Sequence, residues 1–199
     1  MAAAALLAAC SSKPGPVGAP SSSPAASPTG SETPAPTEPA VAPENTPPGD
    51  IPDNQVFVAY RAAGGFEVKV PEGWAKTTSS ASATFTDKLN TVSMSWHAAS
   101  AAPTVDSAKS QEVPELQRSE RAFQLVGVTA VSLPGGAAVL ITYRANSAPN
   151  DVTGKQYRLD VQRFELYRSG VEGILVLSSP VGADNVDPWR IVSRSFHWV

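Results

Sequence analysis

The chain has 199 residues, 42% of them hydrophobic, a net charge of −3 and one cysteine. The slightly acidic balance, with no basic block, makes nucleic acid and other polyanions poor partners. A lone cysteine allows no internal disulfide, and no run approaches the roughly 20 apolar residues of a membrane-spanning helix.

The cysteine itself is informative. Cys10 follows Leu7-Ala8-Ala9 at the end of the apolar run Ala2–Ala9. Small apolar residues ending at a cysteine are the signature of a bacterial lipobox. Residues 1–9 therefore read as part of a lipoprotein signal peptide, and Cys10 as the site of diacylglyceryl attachment and the mature N-terminus. A secretory signal carries a basic region before an apolar core of about 7–15 residues; none precedes Cys10 here, so basic residues are expected upstream of Met1. Each buried methylene contributes about 0.8 kcal/mol, so two or three acyl chains, of the palmitate kind, would hold the protein stably. The expected location is the outer side of the cell membrane. The first expected partners are the bilayer and the lipoprotein-processing enzymes.

Residues 10–53 are expected to be the lipidated cysteine and a disordered linker. Twelve of the chain's 19 prolines lie between Pro14 and Pro52, among Ser, Ala, Thr and Gly. Too few large apolar side chains are present to offset the entropy of ordering it, and polyproline II is the expected conformation. Its Ser/Thr-Pro pairs leave O-glycosylation open.

From residue 54 to 199 the composition turns to Val, Leu, Phe and Tyr, with all four tryptophans. This length suits a single core. Phe66, Val68 and Val70 alternate with Glu67 and Lys69, the pattern of a half-buried strand. Pro71-Glu72-Gly73-Trp74 then turns the chain, and Trp74 is placed to plug one end of the core. Ala83-Thr84-Phe85-Thr86 pairs across Lys88-Leu89-Asn90 with a strand that alternates Val92, Met94 and Trp96. A helix is predicted within Val105–Arg121, interrupted or restarted at Pro114. Phe123–Leu133 forms a hairpin with the strand of Val139, Ile141 and Tyr143, turning at Pro134-Gly135-Gly136. Between Lys155 and Tyr167 the apolar phase shifts from Tyr157, Leu159 and Val161 to Phe164 and Leu166. A β-bulge near Gln162-Arg163 would put both sets on one face. Ile174–Leu177 is apolar on both faces, as a central strand would be. Asp187 suits a helix N-cap, Pro188 the first helical position, and Val186 with Ile191 a hydrophobic staple. Phe196 and Trp198 close the chain. The predicted class is α+β, an antiparallel sheet flanked by helices.

Three stretches resemble actinobacterial lipoproteins of the Mog/PsbP-like superfamily, the mycobacterial Lpq-type proteins included. They are Gly65-Phe66-Glu67-Val68-Lys69-Val70-Pro71-Glu72-Gly73-Trp74, Val176-Leu177-Ser178-Ser179-Pro180, and Asp187-Pro188-Trp189 through Ser195-Phe196-His197-Trp198. The resemblance implies an α/β/α sandwich around an antiparallel sheet over residues 54–199. It also implies accessory, binding or assembly roles, and supplies no catalytic residues.

The residues offer three kinds of site. For a Ser-His hydrolase there are only His97, near Ser93 and Ser95, and His197, and no Gly-x-Ser-x-Gly elbow exists. For a metal, Asp184-Asn185-Val186-Asp187 supplies three oxygen ligands where calcium takes six to eight, and two histidines without a thiol are a poor zinc set. Helix capping explains that segment more simply. For an apolar ligand, Trp74, Met94, Trp96 and Trp189, with Trp198, could line a groove; core filling is the simpler role. No catalytic residue, metal or cofactor is therefore expected, and the protein is not expected to be an enzyme. The expected function is a non-catalytic binding or assembly module of the cell envelope, acting on an unidentified envelope protein, with Arg61, Arg144, Arg158 and Arg163 as candidate surface residues. The alternative is a carrier of an apolar envelope lipid or glycolipid, and a Ser/His hydrolase ranks last.

Overall fold

A computed structural model describes residues 38–199. The first strands are β1 (Phe57–Ala62), β2 (Phe66–Pro71), β3 (Ala75–Thr78), β4 (Ser82–Asp87) and β5 (Asn90–Ala98). A helical segment follows, with α1 (Val105–Ser107), a π-helical turn (Ala108–Glu112) and α2 (Val113–Ser119). Next come β6 (Gln124–Leu133), β7 (Gly136–Asn146), β8 (Arg158–Arg168) and β9 (Val171–Pro180). The chain ends with α3 (Val186–Ser195) and β10 (His197–Trp198).

Seven strands form one antiparallel sheet in the order β3-β4-β5-β9-β8-β7-β6, and β1-β2-β10 form a second, smaller sheet. β9 is the middle strand of the large sheet, as its two-sided apolar run requires. Its Leu175 and Leu177 join Val92, Met94, Phe164 and Leu166 in a core shared with Phe66, Val68, Val70, Trp189, Val192 and Phe196. That core lies between the large sheet, the small sheet and α3. The opposite sheet face packs Val139, Ile141, Tyr143 and Val161 against Ala108 and Leu116 of the helical segment.

The two-sided cover explains the apolar phase of β8. Arg163 pairs with Ile141 on one side and Val176 on the other, with no break in either ladder. The bulge expected at Gln162-Arg163 does not exist. Val161, with half-buried Leu159, serves one core and Phe164 with Leu166 the other, on opposite faces of a regular strand, and Tyr157 precedes the strand. The one irregularity in the large sheet lies between Leu125 and Gly127 on β6.

Pro114 interrupts the first helix in a specific way. The amide of Val113 donates to Ala108 O, five residues back, which widens the turn just before the residue that has no N–H to give. The segment starts with a reciprocal capping box between Thr104 and Ser107. At α3 the N-cap is Asn185, not Asp187. Asp187 lies inside the first turn and pairs with Arg190 at 2.9 Å. Val186 and Ile191 stay exposed, at 73% and 42%, instead of sealing the helix entry as a staple.

The chain closes on an aromatic cluster. Phe66 stacks on Phe196 with centroids 4.6 Å apart, and Trp198 meets both edge-on. Gly135, in the β6–β7 turn, sits where a Cβ would come within 2.7 Å of Phe196 O.

The described part of the region assigned to the linker, residues 38–53, is packed on the domain. Asn146 takes the Val41 amide on its side-chain oxygen (3.1 Å) and donates to Pro39 O (3.0 Å). Proline-rich composition concealed this, because most of the attachment uses main-chain groups, asparagines and the Glu38 and Glu44 carboxylates, and only Ile51 enters the core. We refer to this segment as the strap.

Candidate functional site

The N-terminal end of the strap is held by charge and hydrogen bonds. The Glu38 carboxylate accepts from Arg121 (2.6 Å), Gln156 (2.8 Å) and Asn146 (3.0 Å). Partial desolvation raises its pKa, but the Gln156 and Asn146 hydrogen bonds and the Arg121 charge outweigh it and hold the carboxyl below the usual range. Buried Arg158 braces Asn146 from beneath, donating to its side-chain oxygen at 3.1 Å and to Ala122 O at 2.8 Å. Glu44 pairs with Lys155 further along. At the C-terminal end, Asn185 accepts from the Ile51 amide (2.8 Å) and donates to Gly49 O (2.9 Å). Its side chain is thus spent on the strap and caps no helix.

Beside this anchorage lies a groove of about 390 Å³ between α3 and the large sheet. Asp160 and Gln162 of β8 and Ser179 of β9 form one wall; Trp189, Arg190 and Arg194 of α3 form the other. Arg144 of β7 donates to its cross-strand partner Asp160 of β8 at 2.8 Å. Exposed Val186 stands at the rim. On the other flank of α3, Ile191 and Arg194 border a second depression with Glu67 and Lys69. α3 thus shows Val186 and Ile191 to solvent among Arg190 and Arg194, between two depressions.

The aromatic residues expected to line one apolar groove do not share one. Met94 is fully buried in the core. Trp74 meets Trp189 edge-on at 6.5 Å, whereas Trp96 packs against Phe66 and over Gly64. Trp96 borders a separate depression with Tyr60 and Arg61, and Trp189 the α3 groove. Of the four candidate arginines, Arg144 adjoins the α3 groove and Arg61 lies at the Trp96 depression. Arg158 is buried and braces the strap. Arg163 pairs with Glu165 (2.6 Å) under the helical segment.

That pair belongs to a buried acidic cluster that the sequence pattern did not reveal. Glu165 is fully buried; one oxygen takes the Arg163 hydrogen bond, and its other oxygen, like one of Glu112, has no partner among the described residues. Burial raises the Glu165 pKa, against Arg163 and with help from Glu112 and Glu172. Burial likewise raises Glu172, opposed by His97 at 3.8 Å, and Glu120, which accepts from the Tyr143 hydroxyl at 3.2 Å. Burial and the Glu120 charge in turn push the Tyr143 hydroxyl well above its ordinary value.

The hydrolase candidates are dispersed. Ser93 is hydrogen-bonded to Thr84 at 3.0 Å, and exposed His97 leans toward Glu172. Ser107, which borders the cavity beside His97, spends its oxygen on the Thr104 capping box. His197 lies near Glu67 at 3.7 Å, on the small sheet. Asp184 and Asp187 point to different tasks: the Asp184 amide binds the Asp50 carboxylate (2.9 Å), and Asp187 pairs with Arg190. Cys10 and its lipobox, Leu7, Ala8 and Ala9, lie outside the described residues. Among the described residues no helix is long and apolar enough to cross a membrane.

No protein-family model matches the chain, and no curated protein matches it in sequence. Solved structures do. The solution structure of cyanobacterial PsbP (CyanoP) from Synechocystis sp. PCC 6803 matches with a TM-score of 0.53 and 16% identity, over 76% of this chain and 98% of that one. The Ran-binding protein Mog1p of Saccharomyces cerevisiae matches at 0.48 and 8% identity, over 73% and 96%. LpqN of Mycobacterium tuberculosis, described as involved in cell envelope biogenesis, matches at 0.38 and 15%, over 72% and 89%. Of these three only CyanoP exceeds one half, and at this identity the likeness concerns fold. Residues 38–199 have an α+β, PsbP-like fold.

Proposed function

We propose that this chain is an actinobacterial-type exported lipoprotein, anchored through diacylglycerol on Cys10, whose domain is a non-catalytic binding or assembly module of the cell envelope. The observation that carries the binding role is the α3 surface. Val186 and Ile191 are exposed beside Arg190 and Arg194, and a groove with Trp189 in its wall runs along the helix. The anchor rests on the lipobox sequence. The dispersal of Trp74, Met94, Trp96 and Trp189 favours a protein partner over an apolar cargo.

The test has two arms. Cys10→Ala is expected to move the protein from the membrane fraction to the soluble fraction. A photocrosslinker at Ile191 in the native host is expected to trap a discrete envelope protein, lost on Val186→Asp/Arg194→Glu. Absence of any trapped species, together with a co-purifying lipid mass in native mass spectrometry, would replace the module with a carrier.

A further inference from the structure

β6 is the outermost strand of the large sheet, and its ten residues contain no Asp, Glu, Lys, Arg or Pro. No described residue pairs with its outer edge. Exposed strand edges are ordinarily blunted by shortness, charge, proline or a bulge, because their unpaired N–H and C=O groups are templates for another strand. The opposite edge, β3, follows that rule: it has four residues and includes Lys76. On β6 the bulge affects only the start, between Leu125 and Gly127, and Gly127–Leu133 is regular. Leu125 and Val126 beside it are exposed, at 41% and 62%.

We propose that β6 is a self-association edge, on which a second copy of this chain adds its own β6 antiparallel to extend the sheet across a two-fold axis. Charge permits this occupant. A charged strand paired with itself about a two-fold brings like charges close, and this strand has none. With the axis near Ala130, Val128 opposes Ser132 and Thr129 opposes Val131 of the second copy, and side chains on the same sheet face meet. The chain's own tether is a poor rival, since residues 11–37 contain no proline-free run longer than five residues, and proline cannot donate to a ladder. Because the other edge is short and charged, pairing closes at two copies instead of propagating. Edge pairing alone buries less than the roughly 1,200–2,000 Å² of a stable interface, so the dimer is reversible.

Sedimentation equilibrium of the unlipidated chain 11–199 is expected to show a monomer–dimer equilibrium. Thr129→Lys should abolish the dimer while Thr77→Lys, on β3, leaves it intact. Chain 11–199 has no cysteine, so Ala130→Cys in it should give a disulfide-linked dimer on mild oxidation, at a rate well above that of Thr77→Cys. A single monomeric mass at every concentration, equal crosslinking of the two cysteine variants, or a dimer formed by chain 38–199 and not by 11–199 would overturn the proposal; the last result would assign the edge to the tether.

Discussion

Asn185 donates to the side-chain oxygen of Asn90 at 3.2 Å, 95 residues away in sequence, directly beneath the end of the strap. Asn90 donates in turn to Gly49 O at 2.7 Å. The first turn of α3, the start of β5 and the strap thus meet at one buried amide network. Asn185→Ala leaves the Ile51 amide buried without a partner, and a change of this kind costs about 1–3 kcal/mol. Urea denaturation should report a loss in that range, and limited proteolysis should open new cleavage sites within residues 38–50.

The other end of the strap should respond to acid. The Glu38 carboxyl is held below the unfolded value, about 4.3 for glutamate. A depressed carboxyl contributes attachment that is complete above the unfolded pKa and lost as pH falls through the folded one. The protection of the Val41 amide, taken relative to intrinsic exchange at the same pH, is therefore expected to fall on acidification below about pH 4.3. Glu38→Gln should show the low protection already at neutral pH.

The buried acids act in the opposite sense. Glu165, Glu172 and Glu120 have raised pKa values. The folded state holds their protons more tightly than the unfolded chain does. Their contribution is fully present below about pH 4.3 and declines as pH rises through the folded values. Facing them are Glu112, Arg163, His97 and Tyr143. The melting temperature is expected to rise as pH is lowered from 7 toward the unfolded glutamate value, about 4.3. Glu165→Gln, which keeps an acceptor for Arg163, should flatten that rise. A melting temperature that falls steadily over the same interval would contradict this account.

Gly135→Ala should destabilise the domain by about 1–3 kcal/mol, the usual cost of overpacking. The added methyl meets Phe196 O at 2.7 Å, a main-chain atom that cannot turn away as a side chain could. Near-ultraviolet circular dichroism should weaken as well, because Phe196 carries the stack on Phe66. Gly136→Ala, where nothing lies within 4 Å but φ is +126°, tests backbone strain at the neighbouring position without that clash.

Much of the fold was legible because burial follows period. β2, the β4–β5 and β6–β7 hairpins, central β9 and helix α3 all announce themselves by alternation or by turn residues. β3 did not, since Ala75–Thr78 is fully exposed and has no apolar face to repeat. The strap did not, since three asparagines recognise its main chain, which has no sequence signature. Gln162-Arg163 was misread because two-sided burial and a register slip give the same string of letters; only the cover on the second face distinguishes them. The tryptophans show a similar limit. Alternation puts Trp96 on the same sheet face as Met94, but it does not say that Gly64 and Phe66 lie above one and the depth of the core above the other. The acidic cluster was invisible because Glu112 and Glu120, from the helical segment, converge with Glu165 and Glu172 only after the sheet is assembled.

The hydrogen bond from the Ile51 amide to Asn185 spans 134 positions, which sets an order of events. A chain delivered from its N-terminus presents Ile51 of the strap 134 positions before its holder. Contacts of such sequence separation form late and slow the folding of small domains. This end of the strap therefore cannot lock before Asn185 has been delivered, and the emerging polypeptide stays free of this clasp until then.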